Sequence, residues 1–454
     1  MRGLRRWYAG VRLGFSAKTV LTSSSHRRIA AIAVDKNYGV GWIFRKLGPG
    51  LITGASDDDP SGIATYSQVG AQFGFGLLWT MLFSYPLMAV IQEICARIGR
   101  VTGAGLAGNI RKNYPRPILY TMVSLLCIAN IFNLGADIGA MAAAAQLLIP
   151  GPAIAYVLLF GVLSLVLETF VRYESYVKYL KWLTAALFAY VATAFVVRVP
   201  WAQAMRATLL PSISFTSDYL TALIAVLGTT ISPYLFFWQA SQEAEDVSLN
   251  QKEQPLRKSP EQAPVQLQRI KIDTYVGMGF SNLVAFFIIL TTAATLHAAG
   301  KHVQTSAQAA QALEPLAGHL AFLLFAIGII GTGLLAVPVL AGSAAYGIAE
   351  TFKWHASLEL KPRQAPKFYG VLAIATLIGT AINFSGLDPI RALFWAAALN
   401  GIVSVPLMVV TMLMCASPKI MGKFTVPNPL KAIGWIATAV MLLASVGFFA
   451  TLGK

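Results

Sequence analysis

Eleven stretches of this chain are apolar over about 20 residues each, which is the length that an α-helix needs to cross about 30 Å of hydrocarbon. They cover residues 47–70, 73–99, 117–148, 152–171, 177–198, 217–243, 270–298, 317–349, 366–386, 389–415 and 430–452. Charged residues make up only 12% of the 454 residues, roughly half their usual share in a soluble domain. The sequence therefore excludes a soluble enzyme, a disordered chain and a solenoid, and predicts an all-α membrane protein with eleven transmembrane helices.

The basic residues predict how these helices are oriented. If the N-terminus is cytoplasmic, 30 of the 35 Lys and Arg residues fall on the inner side and five on the outer side, a strong positive-inside bias. The net charge of +16 is then a matter of topology and of contact with anionic lipid, and nucleic acid is not an expected partner. An odd number of spans places the C-terminus outside. The oligomeric state is left open, with a monomer as the simplest expectation.

The segments between the spans divide the chain. Residues 1–46 are basic and predict a cytoplasmic tail, because no clean apolar core precedes a small-residue cleavage site as in a signal peptide. Residues 244–269 are rich in Gln, Pro and charge and predict a polar cytoplasmic loop. Spans 1–5 (residues 47–198) form the first half of the chain, and spans 6–10 (residues 217–415) form the second half. The loop lies within the second half, between span 6 and span 7, and residues 430–454 hold span 11.

Two spans are interrupted in the middle. Span 1 carries three aspartates, Asp57 to Asp59, directly before Pro60, and span 6 carries Pro233 within residues 228–234. A proline inside a helix removes a backbone donor and clashes with the preceding turn, and freed backbone groups at membrane depth are tolerated only in a cavity or inside the protein. Matched interruptions in spans 1 and 6 predict two inverted five-helix repeats with a binding site at the broken helices.

The residues at the interruptions favour a hard divalent cation. Capping of the following helix explains one aspartate, Asp59, but three carboxylates at membrane depth are too costly without water or a cation. Neither interruption contains Cys, Met or His, so a soft metal finds no matching ligand. Magnesium keeps several waters and binds through one or two carboxylates, and manganese accepts the same donors. The predicted metal site comprises the carboxylates of Asp57, Asp58 and Asp59, the carbonyls of Thr229 or Thr230, and the small residues Gly62 and Ser232, which leave room for water.

These residues resemble the two metal-binding signatures of the NRAMP divalent-metal transporters. The resemblance rests on residues 47–53 and 59–62 of span 1 and on residues 228–234 of span 6, extends to Asp137 and to residues 341–343, and covers residues 45 to 450. It implies the leucine-transporter fold with inverted repeats, and members that usually move manganese or iron with protons.

The sequence departs from the usual family signatures, Asp-Pro-Gly-Asn and Met-Pro-His. Gly62 stands in place of the Asn ligand, Ser232 in place of Met, and Tyr234 in place of the His after the proline. A second family His falls at Gln239, and an acid of span 3 tied to proton movement falls at Ala140. This pattern is similar to the NRAMP-related magnesium transporters, a prokaryotic branch that takes hydrated magnesium and manganese. The resemblance implies import across a prokaryotic cell membrane without proton coupling.

Five other polar residues are candidates for the surroundings of the ion or for the pathway: Asp137, Asn400, Gln239, Glu243 and Tyr234, which follows Pro233. Asp137, an acid within span 3, is either functional or bonded to another helix. Asn400 in span 10 either contacts a metal-bound water or joins helices. Gln239 and Glu243 follow the second interruption and are candidates to line an inner vestibule. For Glu243 and its neighbours Glu245 and Asp246, a solvated helix end is the favoured interpretation.

The sequence thus predicts a secondary transporter that is not an enzyme and needs no cofactor. It would import hydrated magnesium, and manganese second, by rocking one helix bundle around spans 1 and 6. Two alternatives stay open: a proton-coupled manganese or iron transporter, and a sodium-coupled amino-acid symporter, whose substrate carboxylate the three aspartates would repel. No zinc-protease or nucleophile motif lies within the spans, which argues against an intramembrane hydrolase.

Overall fold

The computed structural model describes residues 53–54, 56–171, 184–250 and 252–451. The predicted basic tail, residues 1–46, and the beginning of span 1 lie outside the described residues, as does the segment 172–183 before span 5.

The described part of the chain is all-helical and contains no strand. Its helices of eight or more residues are α1 (Pro60–Phe73), α2 (Leu78–Thr102), α3 (Leu106–Asn113), α4 (Arg116–Leu148), α5 (Ala153–Phe170), α6 (Phe188–Val196), α7 (Trp201–Leu209), α8 (Ser217–Thr230), α9 (Pro233–Leu249), α10 (Ala263–Thr292), α11 (Ala321–Phe352), α12 (Pro366–Ile382), α13 (Pro389–Ala416) and α14 (Asn428–Thr451). Shorter α-helical segments cover Ser306–Ala310, Glu314–Ala317 and Pro418–Met421, and a π-helical turn at Ala293–His297 extends α10.

Nine helical segments within the described ranges are long and apolar enough to cross a membrane. One of them, Pro60–Thr102, is 43 residues long and contains two helices, α1 and α2, which are separated by a turn at Gly74 with a φ of 57°. A shorter apolar helix, Ala185–Val196, lies within predicted span 5. The chain is therefore a multi-pass helical membrane protein, as predicted, while the count of eleven spans and their inverted repeats stay predictions.

Spans 1 and 6 are interrupted at their prolines. Residues 53–54 and 56–57 are helical, Asp58 lies in a bend, Asp59 is extended with φ −67° and ψ 168°, and α1 begins at Pro60. In span 6, α8 ends at Thr230, Ser232 is extended with φ −86° and ψ 131°, and α9 begins at Pro233. Each proline occupies the first position of its helix, where a backbone donor has no partner to lose. The interruptions thus create two helix ends in the middle of the protein.

Close packing at glycines fixes the half-helices α1 and α8. A Cβ atom added to Gly228 of α8 would lie 2.0 Å from the Ala397 carbonyl oxygen of α13. A Cβ atom on Gly70 of α1 would lie 2.5 Å from the Ile289 carbonyl oxygen of α10. Small residues allow helix backbones to approach this closely in membranes, so α8 rests on α13 and α1 rests on α10.

The structure corrects two expectations about the connections. The predicted loop 244–269 is shorter, because α9 continues to Leu249 and α10 begins at Ala263. The reason is that polar residues at the end of α9 are buried and bonded to neighbouring helices. In addition, α3 and α7 form between the predicted spans, where the sequence analysis placed no helix.

Candidate metal-binding site

Asp59 caps α1 and joins it to two other helices. Its Oδ1 atom accepts hydrogen bonds from the Gly62 amide at 2.8 Å and the Ser61 hydroxyl at 2.6 Å. Its Oδ2 atom accepts from Asn133 Nδ2 of α4 at 2.9 Å and from the Tyr234 hydroxyl of α9 at 3.4 Å. The capping role that the sequence suggested for Asp59 is present, and the capping bonds hold the carboxylate in one orientation.

Asp57 and Asp58 turn towards a different helix. The Ser281 hydroxyl of α10 lies 2.6 Å from Asp57 Oδ2 and 3.1 Å from Asp58 Oδ1. The other Asp57 oxygen, Oδ1, is buried and accepts no hydrogen bond. Asp57 therefore keeps a free acceptor within the protein, whereas Asp59 has both oxygens occupied.

The three aspartates do not converge on one point. Asp59 faces α4 and α9, while Asp57 and Asp58 face α10. Within the described ranges, no group of three or more Asp, Glu, His or Cys side chains is arranged to hold a bare metal ion. The described carboxylates therefore do not form a three-carboxylate cluster.

The predicted ligands of span 6 stand at the end of α8. The Ser232 hydroxyl donates to the carbonyl oxygens of Gly228 at 2.8 Å and Thr229 at 2.7 Å. The Thr229 hydroxyl lies 2.9 Å from the Tyr66 hydroxyl of α1, and the Thr230 hydroxyl lies 3.2 Å from the Val226 carbonyl. Both threonine hydroxyls are engaged, and the Thr229 carbonyl already accepts from Ser232. The backbone carbonyls of Thr229 and Thr230 are the oxygens at the C-terminal end of α8. Carbonyls at a helix C-terminus carry partial negative charge and attract cations.

Tyr234 and Gln239 connect the two interrupted spans. The Tyr234 hydroxyl donates to the Ser56 carbonyl at 3.0 Å, and the Thr53 hydroxyl donates to Gln239 Oε1 at 2.5 Å. Both side chains come from α9 and both partners come from the first half of span 1. The two positions where the family usually has histidine therefore link helices in this chain.

Gly62 adjoins the aspartates. A Cβ atom added there would lie 3.3 Å from Tyr66 Cε2 and 3.4 Å from the Asp57 carbonyl oxygen. The glycine therefore leaves less free space than the sequence suggested, because the Tyr66 ring occupies much of it.

Asp137 and Asn400 both have buried acceptors without donors. Neither oxygen of the Asp137 carboxyl, which lies beside Asp59 and the Ser61 amide, accepts a hydrogen bond of ordinary geometry. Oδ1 of Asn133, four residues earlier on the same face of α4, and Oδ1 of Asn400 in α13 are also buried without a partner. Asp137 of α4 therefore lies against the first turn of α1, beside Asp59, and both interpretations of its role stay predictions.

The surroundings of Glu243 and Glu245 differ from the prediction. Glu243 is fully buried and pairs with Arg269 of α10 at 2.5 Å and with Arg100 of α2 at 3.7 Å. Glu245 is 8% exposed and accepts from the hydroxyls of Tyr346 and Ser357. Neither residue lies at a solvated helix end, and Glu243 is an ion-pair partner rather than a vestibule carboxylate. A charged side chain that is buried must be paired, and the partners come from distant helices.

Three residues of the site were not among the predicted ones: Tyr66, Asn133 and Ser281. Asn133 lies one helical turn before Asp137, so a polar pair at this spacing could have indicated it. Nothing in the sequence separates Ser281 from the other serines of the spans. Its role depends on where α10 packs, which the local sequence does not determine.

The geometry defines a class of protein: a multi-pass helical membrane protein with paired helix breaks that enclose buried carboxylates. The sequence matches the family described as natural resistance-associated macrophage protein-like over residues 50–451. The chain belongs to this family, and the resemblance noted in the sequence is confirmed. Because the family consists of transporters, the chain is a transporter and not an enzyme.

Individual relatives agree with this assignment. The divalent metal cation transporter MntH of Klebsiella pneumoniae subsp. pneumoniae is 27% identical over 409 residues, which are 87% of this chain and 91% of that protein. The crystal structure of a manganese transporter of Eremococcus coleocola, a substituted variant, aligns with a TM-score of 0.69 at 18% identity, over 94% of this chain and 88% of that chain. Mhp1, a nucleobase-cation-symport-1 family transporter in a closed conformation, aligns with a TM-score of 0.53 at 15% identity, over 89% of this chain and 92% of that chain. The last two likenesses concern the fold.

Proposed function

We propose that this protein imports divalent metal cations, magnesium first and manganese second, in largely hydrated form and without proton coupling. The named relatives carry divalent metal or manganese, which supports a cargo of this class. The mechanism would be alternating access, with the cation held between the ends of α1 and α8 as one set of helices rocks against the other.

The observation that carries the proposal is a surplus of buried oxygen acceptors around Asp59. Among the described residues, Asp57 Oδ1 and Asn133 Oδ1 accept no hydrogen bond, and the only donor beside the Asp137 carboxyl is the Ser61 amide. Asp57, Asp58, Asp59 and Asp137 also form no ion pair with any Lys or Arg in the described part of the chain. Buried acceptors without donors require an explanation such as water or an ion. A hydrated divalent cation supplies both, since its positive charge balances the carboxylates and its waters donate to the free oxygens.

The hydration of the ion follows from its ligands. Asp59 has both oxygens occupied, and Ser232 offers a hydroxyl where the usual family residue offers a thioether. A site with few free hard oxygens suits a cation that keeps most of its waters, as magnesium does. The membrane potential would drive import, because 100 mV supplies about 4.6 kcal/mol for two charges.

The test is metal uptake by the full-length protein in proteoliposomes that contain a magnesium-sensitive dye and a pH-sensitive dye. The wild type is compared with Asp59→Asn, which retains a capping side chain but removes the charge. We expect magnesium entry without internal acidification in the wild type, and a loss of at least tenfold in the variant. Asp218→Asn, which neutralises an exposed aspartate at the start of α8, serves as the matched control and should leave uptake unchanged.

The opposite result is equally clear. Acidification that tracks manganese entry, with magnesium excluded, would identify a proton-coupled manganese or iron transporter. Unchanged magnesium entry in Asp59→Asn would remove the carboxylate from the transport site.

A further inference from the structure

A pocket at the far end of α1 is lined by amides and lies in line with the candidate metal site. Its volume is ≈ 280 Å³. It is lined by Gln68 and Gln72 of α1, by residues 302–304 of the loop that follows α10 and its π-helical turn, and by Phe394 of α13. Gln72, His302 and Gln304 are exposed, so the pocket opens to solvent. The charge asymmetry of the chain predicts that this end of α1 faces the outside.

A polar stripe connects this pocket to the metal site. Ser61, Thr65, Gln68 and Gln72 are spaced by four, three and four residues, which places them on one face of α1. Ser61 donates to Asp59, and Thr65 is fully buried with a hydroxyl that has no hydrogen-bond partner. The opposite face of α1 packs through Gly70 onto α10. The stripe is therefore the polar side of α1, opposite its contact with α10.

The pocket matches a hydrated divalent cation in size and chemistry. Six waters of about 30 Å³ each occupy about 180 Å³, which fits the ≈ 280 Å³ available. Amide oxygens accept hydrogen bonds from coordinated water, and the lining residues include no carboxylate that would hold the ion tightly. Weak binding is what a site on a transport route needs, because the ion must also leave.

We infer that the Gln68–Gln72 pocket is an outer loading site, in which a hydrated divalent cation is held before it passes along the Ser61–Thr65 stripe to Asp59. The inference rests on the proposed function. A loop roofs this pocket: Val303 is 6% exposed, and its carbonyl accepts a long hydrogen bond of 3.4 Å from Gln68 Nε2. Gly300, which precedes this segment, has a φ of 66° and open space around an added Cβ atom.

Opposite charges at one exposed position test the inference. Initial rates of Mn²⁺ uptake are measured in intact cells that lack their own manganese uptake systems, so that the metal reaches only the outer face. Gln72→Glu should lower the KM for Mn²⁺ about threefold to tenfold, and Gln72→Lys should raise it by a similar factor, because a unit charge acts on a divalent ion through a water-like dielectric. Both changes should shrink at high ionic strength.

The controls use the same substitutions elsewhere. Gln146→Glu and Gln146→Lys change a glutamine near the end of α4 that bonds the Gly151 carbonyl and does not line the pocket, and they should leave the KM unchanged. Hexaamminecobalt(III), an exchange-inert ion similar in size to hexahydrated magnesium, should inhibit from outside, more strongly in Gln72→Glu and more weakly in Gln72→Lys.

The outcomes separate the two proposals. If the wild-type cells take up no metal above cells without the protein, the proposed function fails and the loading site fails with it. If the wild type transports Mn²⁺ and both Gln72 variants keep the wild-type KM, the function stands and the loading site is wrong.

Discussion

At the scale of single residues, Asp59 combines a structural task with an electrostatic one. Four hydrogen bonds from its neighbours occupy its two oxygens; the donors are Ser61, Gly62, Asn133 and Tyr234. The carboxylate is therefore held in one orientation and is not free to turn both oxygens towards an ion. The free acceptor of the run belongs to Asp57. A carboxylate that is fully bonded by its protein can still attract a cation, but it does so through water. Because Asp59 is bonded by the protein and Asp57 keeps an unbonded oxygen, the three adjacent aspartates have different roles and need not chelate one ion together.

Ser232 is the residue at which the choice of metal can be changed. Its hydroxyl donates to the Gly228 and Thr229 carbonyls, and it stands where the usual family signature has methionine. We predict that Ser232→Met frees the Thr229 carbonyl, adds a soft ligand, and lowers the inhibition constant of cadmium for manganese uptake about tenfold, while magnesium competes less well. Manganese uptake with added cadmium or magnesium measures both effects.

Ser445→Met is the matched control for this prediction. Ser445 of α14 is a buried serine that donates to the carbonyl four residues earlier, at 2.8 Å, as Ser232 does. It should alter neither metal's competition. Equal cadmium sensitivity in Ser232→Met and the wild type would show that this position does not face the ion.

The sequence located the two helix breaks better than the contacts of the residues beside them. The interruptions depend on Pro60 and Pro233, which act on their own neighbours, so local rules were sufficient to locate them. The donors to the carboxylates come from other helices: Ser281 is 224 residues from Asp57. The packing of the helices determines which of the many serines lies beside a given carboxylate, and this packing cannot be predicted from the local pattern of one sequence. Glu243 shows the same limit, because its partners lie on α2 and α10.

At the scale of helices, the placement of α8 depends on glycines that admit another backbone. Gly228 faces the Ala397 carbonyl, and an added Cβ atom on Gly401 of α13 would lie 2.7 Å from the Ile224 carbonyl of α8. The two glycines thus face opposite helices at one crossing. Because α8 ends only two residues after Gly228, this crossing determines where the Thr229 and Thr230 carbonyls lie.

We predict that Gly228→Ala destabilises the protein by about 3 kcal/mol, because the atoms in the way are backbone and overpacking of this kind is costly. The midpoint of thermal unfolding in detergent, followed by size-exclusion chromatography, would fall. Gly370→Ala in α12 is the matched control, since an added Cβ atom there has nothing within 4 Å and alanine favours a helix by about 1 kcal/mol. A midpoint for Gly228→Ala that equals that of Gly370→Ala would show that α8 and α13 are not held at this distance.

At the scale of the whole molecule, α9 must separate from α11 if the cytoplasmic side opens. Trp238 of α9 packs on Gly342 of α11, where an added Cβ atom would lie 2.8 Å from the indole ring. Further along, the Tyr346 hydroxyl of α11 donates to Glu245 and receives a bond from Gln242 at 3.2 Å. The Ser357 hydroxyl, from the segment after α11, completes the contact with Glu245. Under alternating access, this cluster joins an element that moves to one that stays.

We predict that Tyr346→Phe loosens α9 and favours opening towards the cytoplasm. The substitution removes a donor from a nearly buried carboxylate, and hydrogen bonds to charged groups contribute about 1.5–3 kcal/mol, so the population of the open state should rise at least tenfold. Hydrogen–deuterium exchange over residues 233–249 would then be faster by a similar factor. Tyr120→Phe, at a half-exposed tyrosine of α4, is the control and should leave exchange unchanged. Equal exchange in Tyr346→Phe and the wild type would contradict the idea that Glu245 holds α9 against α11. The ion pairs of Glu243 in α9 with Arg100 of α2 and Arg269 of α10 would then be the next polar contacts of α9 to test.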